Sequence, residues 1–273
     1  MLTPYKRQPM QASQLALTAV MGSDGAQRWH HRRDTFVPPS NRFDPGRCEV
    51  VALPEAEAKQ FVIQHHYSGS YPAARFRVGL VAKPRDGIAF LGGVAVFSVP
   101  MQAAAISKYL GGSLLEGVEL GRLVLLDHPL LGYNAESWFV ARAFRLLKAA
   151  LPDVKGVVSY SDPVTRYNAD GEVVKPGHAG IVYRALNGLY HGRSSARTHI
   201  IARDGRVVSE RSLSKIRLGE SGVDYSIRQL IALGAPARLP HEDGRAYVER
   251  ALAEGGFRKS RHPGNHVFSW RVA

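Results

Sequence analysis

Asp162 ends an apolar run, GVVSYSDP (156–163), and immediately precedes a proline. Pro163 keeps its backbone extended, so a carboxylate projects from a strand end, where open α/β sheets usually place ligands. If burial raises its pKa toward neutrality, such a group can take a proton from an amine. The alternative is an Asx turn that closes the strand. Glu119, on the preceding apolar strand, is a second candidate base unless it pairs with Arg122. His66 and Tyr67 lie in HHYSGS (65–70), directly after a helical stretch, where His66 can serve proton transfer and Tyr67 can stack on a flat ligand or donate a proton. His178 and Tyr183 belong to GHAGIVY (177–183). There His178 can orient Asp162, and Tyr183 can protonate a leaving group. Packing or capping explains each of these side chains equally well. A metal held by His65 or His66, Asp162 and His178 is chemically reasonable, but no spacing demands it and no ligand is assigned.

These residues need elements to position them. The block 118–163 predicts a buried strand (118–126), a polar loop, an amphipathic helix (135–150) and a second buried strand (156–161). The loop DHPLLGYNAES opens the helix, whose free N–H groups form an anion site. Asn134, Ala135 and Ser137 are therefore candidate contacts to a donor, with Asn134 or Ser137 capping the helix. Gly132 is the loop's lone glycine, and Glu136 suits the helix dipole but repels a pyrophosphate.

Upstream, the spacing predicts a strand (48–52), a helix (54–65), two strands (75–83 and 88–99) and a short helix (101–110). Downstream it predicts a helix (177–192) closed by Gly192 and a hairpin (197–209) turning at Asp204-Gly205. Two helices (226–234 and 242–256) and a closing strand (266–272) follow. Strand pairs alternating with helices predict a mixed α/β sheet. Residues 1–47 read as a basic arm, lying on the domain or partly disordered, with one helical candidate (13–22) and an aromatic-basic cluster, WHHRRD (29–34).

Lys and Arg total 36 against 23 Asp and Glu, a formal charge of +13. Arginine supplies most of it, at Arg28, Arg32, Arg33, Arg42 and Arg47 and again from Arg193 to Arg271. Arginine forks fit phosphates and guanine edges, so a polyanion is the first partner expected; an arginine-favouring codon usage is the plain alternative. No run approaches the roughly 18 apolar residues of a spanning helix, and the N-terminus lacks a signal-peptide core. The single cysteine, Cys48, reads as a buried thiol in a reducing cytoplasm.

HHYSG (65–69), ELGR (119–122), NAESWF (134–139), ARAFRLL (141–147), SYSDP (159–163) and GHAGIVYRALNGLYHG (177–192) occur in one order. This ordered set resembles the Mom family of phage DNA-modification proteins, within the GNAT acyltransferase superfamily. The resemblance covers 48–200 and implies a GNAT-like mixed central sheet with flanking helices; residues 48–273 are read as that domain, with a helical insertion at about 210–260 that no motif matches. It also implies transfer of a carbamoylmethyl (acetamido-type) group to the exocyclic amino group of adenine in double-stranded DNA, protecting phage DNA from restriction. The protein would then be phage- or prophage-encoded and cytoplasmic in its bacterial host, with a small-molecule group donor and no membrane. An acyl-CoA-type donor is the superfamily's habit, although this pyrophosphate loop departs from it. Two rivals stay open: an N-acyltransferase acting on a protein, tRNA or small amine, and a DNA-binding protein without catalysis.

Overall fold

A computed structural model describes residues 25–30 and 33–272. The helical candidate at 13–22 lies outside the described residues, as do His31 and Arg32 of the aromatic-basic cluster. The described residues open with an antiparallel pair of β1 (Ala26–His30) and β2 (Arg33–Val37), where the sequence pattern predicts only an arm. There follow β3 (Cys48–Ala52), α1 (Glu55–His65), β4 (Ala74–Ala82), β5 (Phe90–Ser98), α2 (Ala104–Leu110) and β6 (Gly117–Leu125). Next come α3 (Ala135–Ala150), β7 (Gly156–Ser161), a small pair β8 (Arg166–Tyr167) and β9 (Val173–Lys175), and α4 (Ile181–Ala185). The remainder is β10 (Leu189–Arg193), β11 (Arg197–Ile201), α5 (Glu210–Leu218), α6 (Val223–Ala232), α7 (Gly244–Glu254), β12 (Arg258–His262) and β13 (His266–Arg271).

Seven strands form one mixed sheet in the order β10-β13-β7-β6-β5-β4-β3, in which only β6 and β7 run parallel. The fold is the expected mixed α/β sheet with flanking helices. β5 is buried on both faces, as its apolar run FLGGVAVFS requires of a central strand. Alternate β5 residues serve two layers. Ala95 and Phe97 pack with Phe139, Ala143 and Leu147 of α3, while Val94 and Val96 pack with Ala58, Phe61 and Val62 of α1. Ile106 and Leu110 of α2 rest on Val158 and Val267. α5, α6 and α7 close a separate core around Leu213, Ile216, Leu230 and Tyr247, joined to β11 through Ile200.

Three expectations are corrected. The helix expected over 177–192 stops at Ala185, because Asn187 takes a left-handed φ of 57° and the chain reverses into β10, an edge strand of the sheet. The 197–209 hairpin turns at Asp204-Gly205, but its return arm makes only one bridge, Ile201 to Val207; the ladder partner of β11 is the distant β12, which no local pattern reveals. The helical segment also gains α5, a short helix that the spacing does not predict.

Candidate active site

The parallel pair opens the site. β6 and β7 are bonded over only three registers, Gly117 with Gly156 to Glu119 with Val158, yet β6 runs on to Leu125 and β7 to Ser161. Beyond Glu119 the strands diverge, and a cavity of about 530 Å³ lies between them. A bulge intervenes at the same place, with Phe97 opposite Leu120 but Val96 opposite Arg122. The extra residue, Gly121, turns Glu119 and Arg122 to the same face, and both line the cavity. No ion pair joins them among the described residues. Arg122 instead donates to the Ser70 carbonyl (3.0 Å) and hydroxyl (2.9 Å), holding the 65–70 loop against β6.

Asp162 lies on the cavity wall, but its environment reverses the expected shift. Burial works against ionisation; Lys175 Nζ at 3.0 Å, His262 Nε2 at 2.9 Å and the Val164 N–H at 3.0 Å outweigh it, leaving the pKa at about 2. Asp162 is thus a permanent anion clamped between two partners. The histidine that orients it is His262, not His178. His262 Nδ1 accepts the Gly264 N–H at 3.1 Å, so Nε2 carries the proton given to Asp162. His178 touches Asp162 only through the backbone, its N–H donating to the Asp162 carbonyl at 2.9 Å. Lys175, on β9, also donates to the Val164 and Asp162 carbonyls. Neither His262 nor Lys175 is evident from sequence. Both approach from segments that carry no motif signal.

Around this anion the cavity collects neutral acids and bases. Burial, then the charges of Arg122 and His178, push His66 down to about 3. The Ser68 N–H donates to His66 Nδ1 at 3.1 Å, which places the ring proton on Nε2. Burial and Lys175 push His178 down to about 4, and its ring makes no hydrogen bond among the described residues. Burial raises Tyr67 to about 12, and its ring lies 4.1 Å from His66 and edge-on to Trp29 at 6.5 Å. Tyr183 is buried and likewise shifted upward by its burial; Phe268 and Trp270 hold it edge-on from two sides. Its helix enters at Gly180, whose φ of 72° and close approach to the Phe268 ring exclude a side chain. Glu119 is also raised by burial, against a hydrogen bond from the Met101 N–H. His66, Tyr67, Glu119, Asp162, His178 and Tyr183 therefore share one cleft. Tyr71, four residues after Tyr67, packs with α1 and does not line it.

The loop before α3 is built differently from a phosphate cradle. Arg28 of β1 reaches into it, buried, with Nε 2.7 Å from Glu136 Oε1, Nη1 3.2 Å from the Leu126 carbonyl and Nη2 3.3 Å from the Gly132 carbonyl. The place is lined by acceptors and already holds a cation. Gly132 is required by the chain itself, since a Cβ there would lie 2.5 Å from the Asn41 carbonyl oxygen. The loop therefore does not fit the pyrophosphate of an acyl-CoA donor in the usual pose. Ala135 turns into the core, away from the cleft. Asn134 and Ser137 line the cleft, but neither side chain caps the helix; Ser137 Oγ donates back to the Asn134 carbonyl at 3.1 Å. Nor do His65 or His66, Asp162 and His178 converge as a metal site. Among the described residues no three His, Cys, Asp or Glu side chains do so.

The sequence model of the Mom protein family matches residues 47–238. The chain belongs to the Mom protein family. That span contains every catalytic candidate on the cleft wall, while Arg28 and His262 fall outside it. No curated protein matches in sequence. Among solved structures, a tandem GNAT protein from the clavulanic acid biosynthesis pathway, without AcCoA, aligns with 9% identity and a TM-score of 0.38, covering 83% of this chain and 99% of its own. Malonyl-CoA decarboxylase from Rhodopseudomonas palustris aligns with 10% identity and a TM-score of 0.33, over 85% of this chain and 58% of its own. Likeness at this level carries neither substrate nor chemistry to the Mom-family chain. No helix among the described residues is long and apolar enough to cross a membrane.

Proposed function

We propose that the cleft transfers a carbamoylmethyl group from a small-molecule donor to the exocyclic amino group of adenine in duplex DNA, so that the modified DNA resists restriction. The observation that carries this reading is the grouping, in a Mom-family cleft, of two histidines held neutral, two tyrosines held protonated and one fixed carboxylate. An exocyclic amine must lose a proton as it forms its new bond to carbon, and the departing group must gain one. His178, neutral at physiological pH and free of ring hydrogen bonds among the described residues, takes the proton from the amine. The bond from the transferred carbon to its leaving group breaks as the nitrogen–carbon bond forms. Tyr183 returns a proton to the leaving group.

Asp162 already accepts from Lys175, His262 and the Val164 N–H, so it is not the base here. Its fixed negative charge holds Lys175 and offsets the positive charge that develops on His178. Glu119, raised by burial, is the base in reserve. A paired adenine reaches the cleft only by leaving its stack, at a cost of a few kcal/mol. Tyr67, backed by His66, offers the face that recovers part of that cost. Arg28 in the donor-side loop argues against an acyl-CoA-dependent N-acyltransferase.

Nucleoside mass spectrometry of DNA from cells expressing the protein tests the reading. A modified deoxyadenosine that disappears in a His178→Gln strain is expected, together with DNA that resists restriction digestion. Unmodified adenine in DNA, with an acylated protein or tRNA instead, would overturn it.

A further inference from the structure

β11 and β12 form a two-stranded antiparallel ribbon that is not hydrogen-bonded into the central sheet. Their sequences, RTHII and RKSRH, contain four Lys or Arg residues and no acid. Arg197, Arg258, Lys259 and Arg261 are all exposed. Arg258 is partly committed, donating to the Tyr167 carbonyl at 2.9 Å. Arg197, Lys259 and Arg261 have no hydrogen-bond or carboxylate partner among the described residues. Elsewhere many surface cations are matched, as in Arg211 with Glu220, Arg206 with Asp204 and Arg250 with Glu242 and Glu254. The ribbon's charge is left open to an external anion.

Its position is as telling as its charge. β12 ends in His262, which is buried and donates to Asp162, and the His199 ring of β11 lies 4.9 Å from the His262 ring. The inner end of the ribbon is thus anchored on the carboxylate of the cleft, and its cations extend from there into solvent. A two-stranded ribbon is one of the few elements narrow enough for the major groove of B-DNA.

The geometry points to the β11–β12 ribbon as the element that grips duplex DNA, with Arg197, Lys259 and Arg261 on phosphates flanking the target. The inference rests on the proposed DNA substrate and adds the surface that holds it. Because His262 ties the ribbon to Asp162, the same element that grips the duplex sets its register over the cleft.

The test compares two triple variants of the full chain: Arg197→Ala, Lys259→Ala, Arg261→Ala on the ribbon, and Lys59→Ala, Arg85→Ala, Arg145→Ala on exposed cations that neither line the cleft nor join the ribbon. Both variants remove the same charge. Binding of a fluorescent 20-base-pair duplex is read by anisotropy from 50 to 200 mM salt. The ribbon variant should bind roughly ten-fold or more weakly at the upper salt, and its slope of log K against log salt should shrink by about 3, near 0.9 for each phosphate that is no longer neutralised. The control should follow wild type. Equal weakening of both variants would reduce the effect to net charge and overturn the inference. An unchanged ribbon variant beside a wild type that binds would overturn it and leave the DNA reading standing. A wild type that ignores duplex DNA, or binds only single-stranded RNA, would remove both. Unchanged thermal melting of the ribbon variant excludes misfolding.

Discussion

Arg28 and Glu136, 108 residues apart in sequence, meet at 2.7 Å with almost no solvent on either side chain. The second carboxylate oxygen of Glu136 has no hydrogen-bond partner among the described residues, so this pair depends on a single close approach and the loop carbonyls around the guanidinium. Breaking such a pair from one side strands a buried charge at a cost of about 3–5 kcal/mol. Arg28→Ala and Glu136→Gln should each lower stability in urea by that order, and the double variant by clearly less than the sum. Additive losses would mean that the two residues act independently. Neither wild type nor Glu136→Gln should bind CoA in calorimetry, since the loop carbonyls still face the anion.

His178→Gln should reduce modification by about two to four powers of ten, the usual effect of a general base, while melting and duplex binding persist. Asp162→Asn should behave differently. It removes the carboxylate 3.0 Å from the buried Lys175 ammonium, so a stability loss of around 3 kcal/mol should accompany the loss of activity. If Asp162→Asn is inactive yet as stable as wild type, and His178→Gln remains active, the base is Asp162 and not His178.

The depressed histidines make acid stability a separate reading of the cleft. His66 at about 3, and His178 and His199 at about 4, stay neutral in the folded protein while their unfolded counterparts protonate near 6.5. Their contribution is fully present above 6.5 and drains away as the pH falls toward 4. Asp162, depressed to about 2, loses its share only between about 4 and 2. Urea midpoints should therefore fall between pH 6.5 and 5, before carboxylates titrate, and fall less in His178→Gln. A flat profile over that interval would show these rings to be solvated.

Tyr67→Ala should lower modification of a fully paired duplex by about one to two powers of ten, matching base–aromatic stacking worth 1–3 kcal/mol. A mismatched target adenine should lose less, because its stack is already weakened. Tyr67→Phe keeps the ring and should retain most activity on both. Were Phe as damaging as Ala, the hydroxyl rather than the ring would be what matters.

Local periodicity makes the half of the chain that builds the cleft legible. The strand, loop, helix and strand of 118–161 declare themselves through unbroken apolar runs and helical spacing, and they place Glu119 on β6 and Asp162 just past the end of its neighbour β7. Pairings made across the whole chain are invisible in the sequence. Nothing near Arg28 announces Glu136, and nothing near His262 announces Asp162, because each pairing exists only after the sheet has formed. The segment 177–192 misleads for a local reason: its residues favour a helix, yet Asn187 and Gly188 permit a reversal, and pairing with β13 decides the outcome. The direction of the Asp162 shift likewise depends on Lys175 and His262, which reach it from short strands distant in sequence.

β13 is the last strand among the described residues and lies inside the sheet, bonded to β7 along its whole length and to β10 on the other side. It also supplies Phe268 and Trp270, the two rings that seat Tyr183. During synthesis, therefore, α4 leaves the ribosome long before the strand that will hold it. Until residues 266–271 insert, the sheet remains in two pieces and the acid side of the cleft has no floor. Cleft assembly must be a late, long-range event in folding, of the kind that slows a chain and exposes its strand edges. A nascent chain that has not reached Trp270 can carry every candidate side chain of the cleft and still lack the cleft.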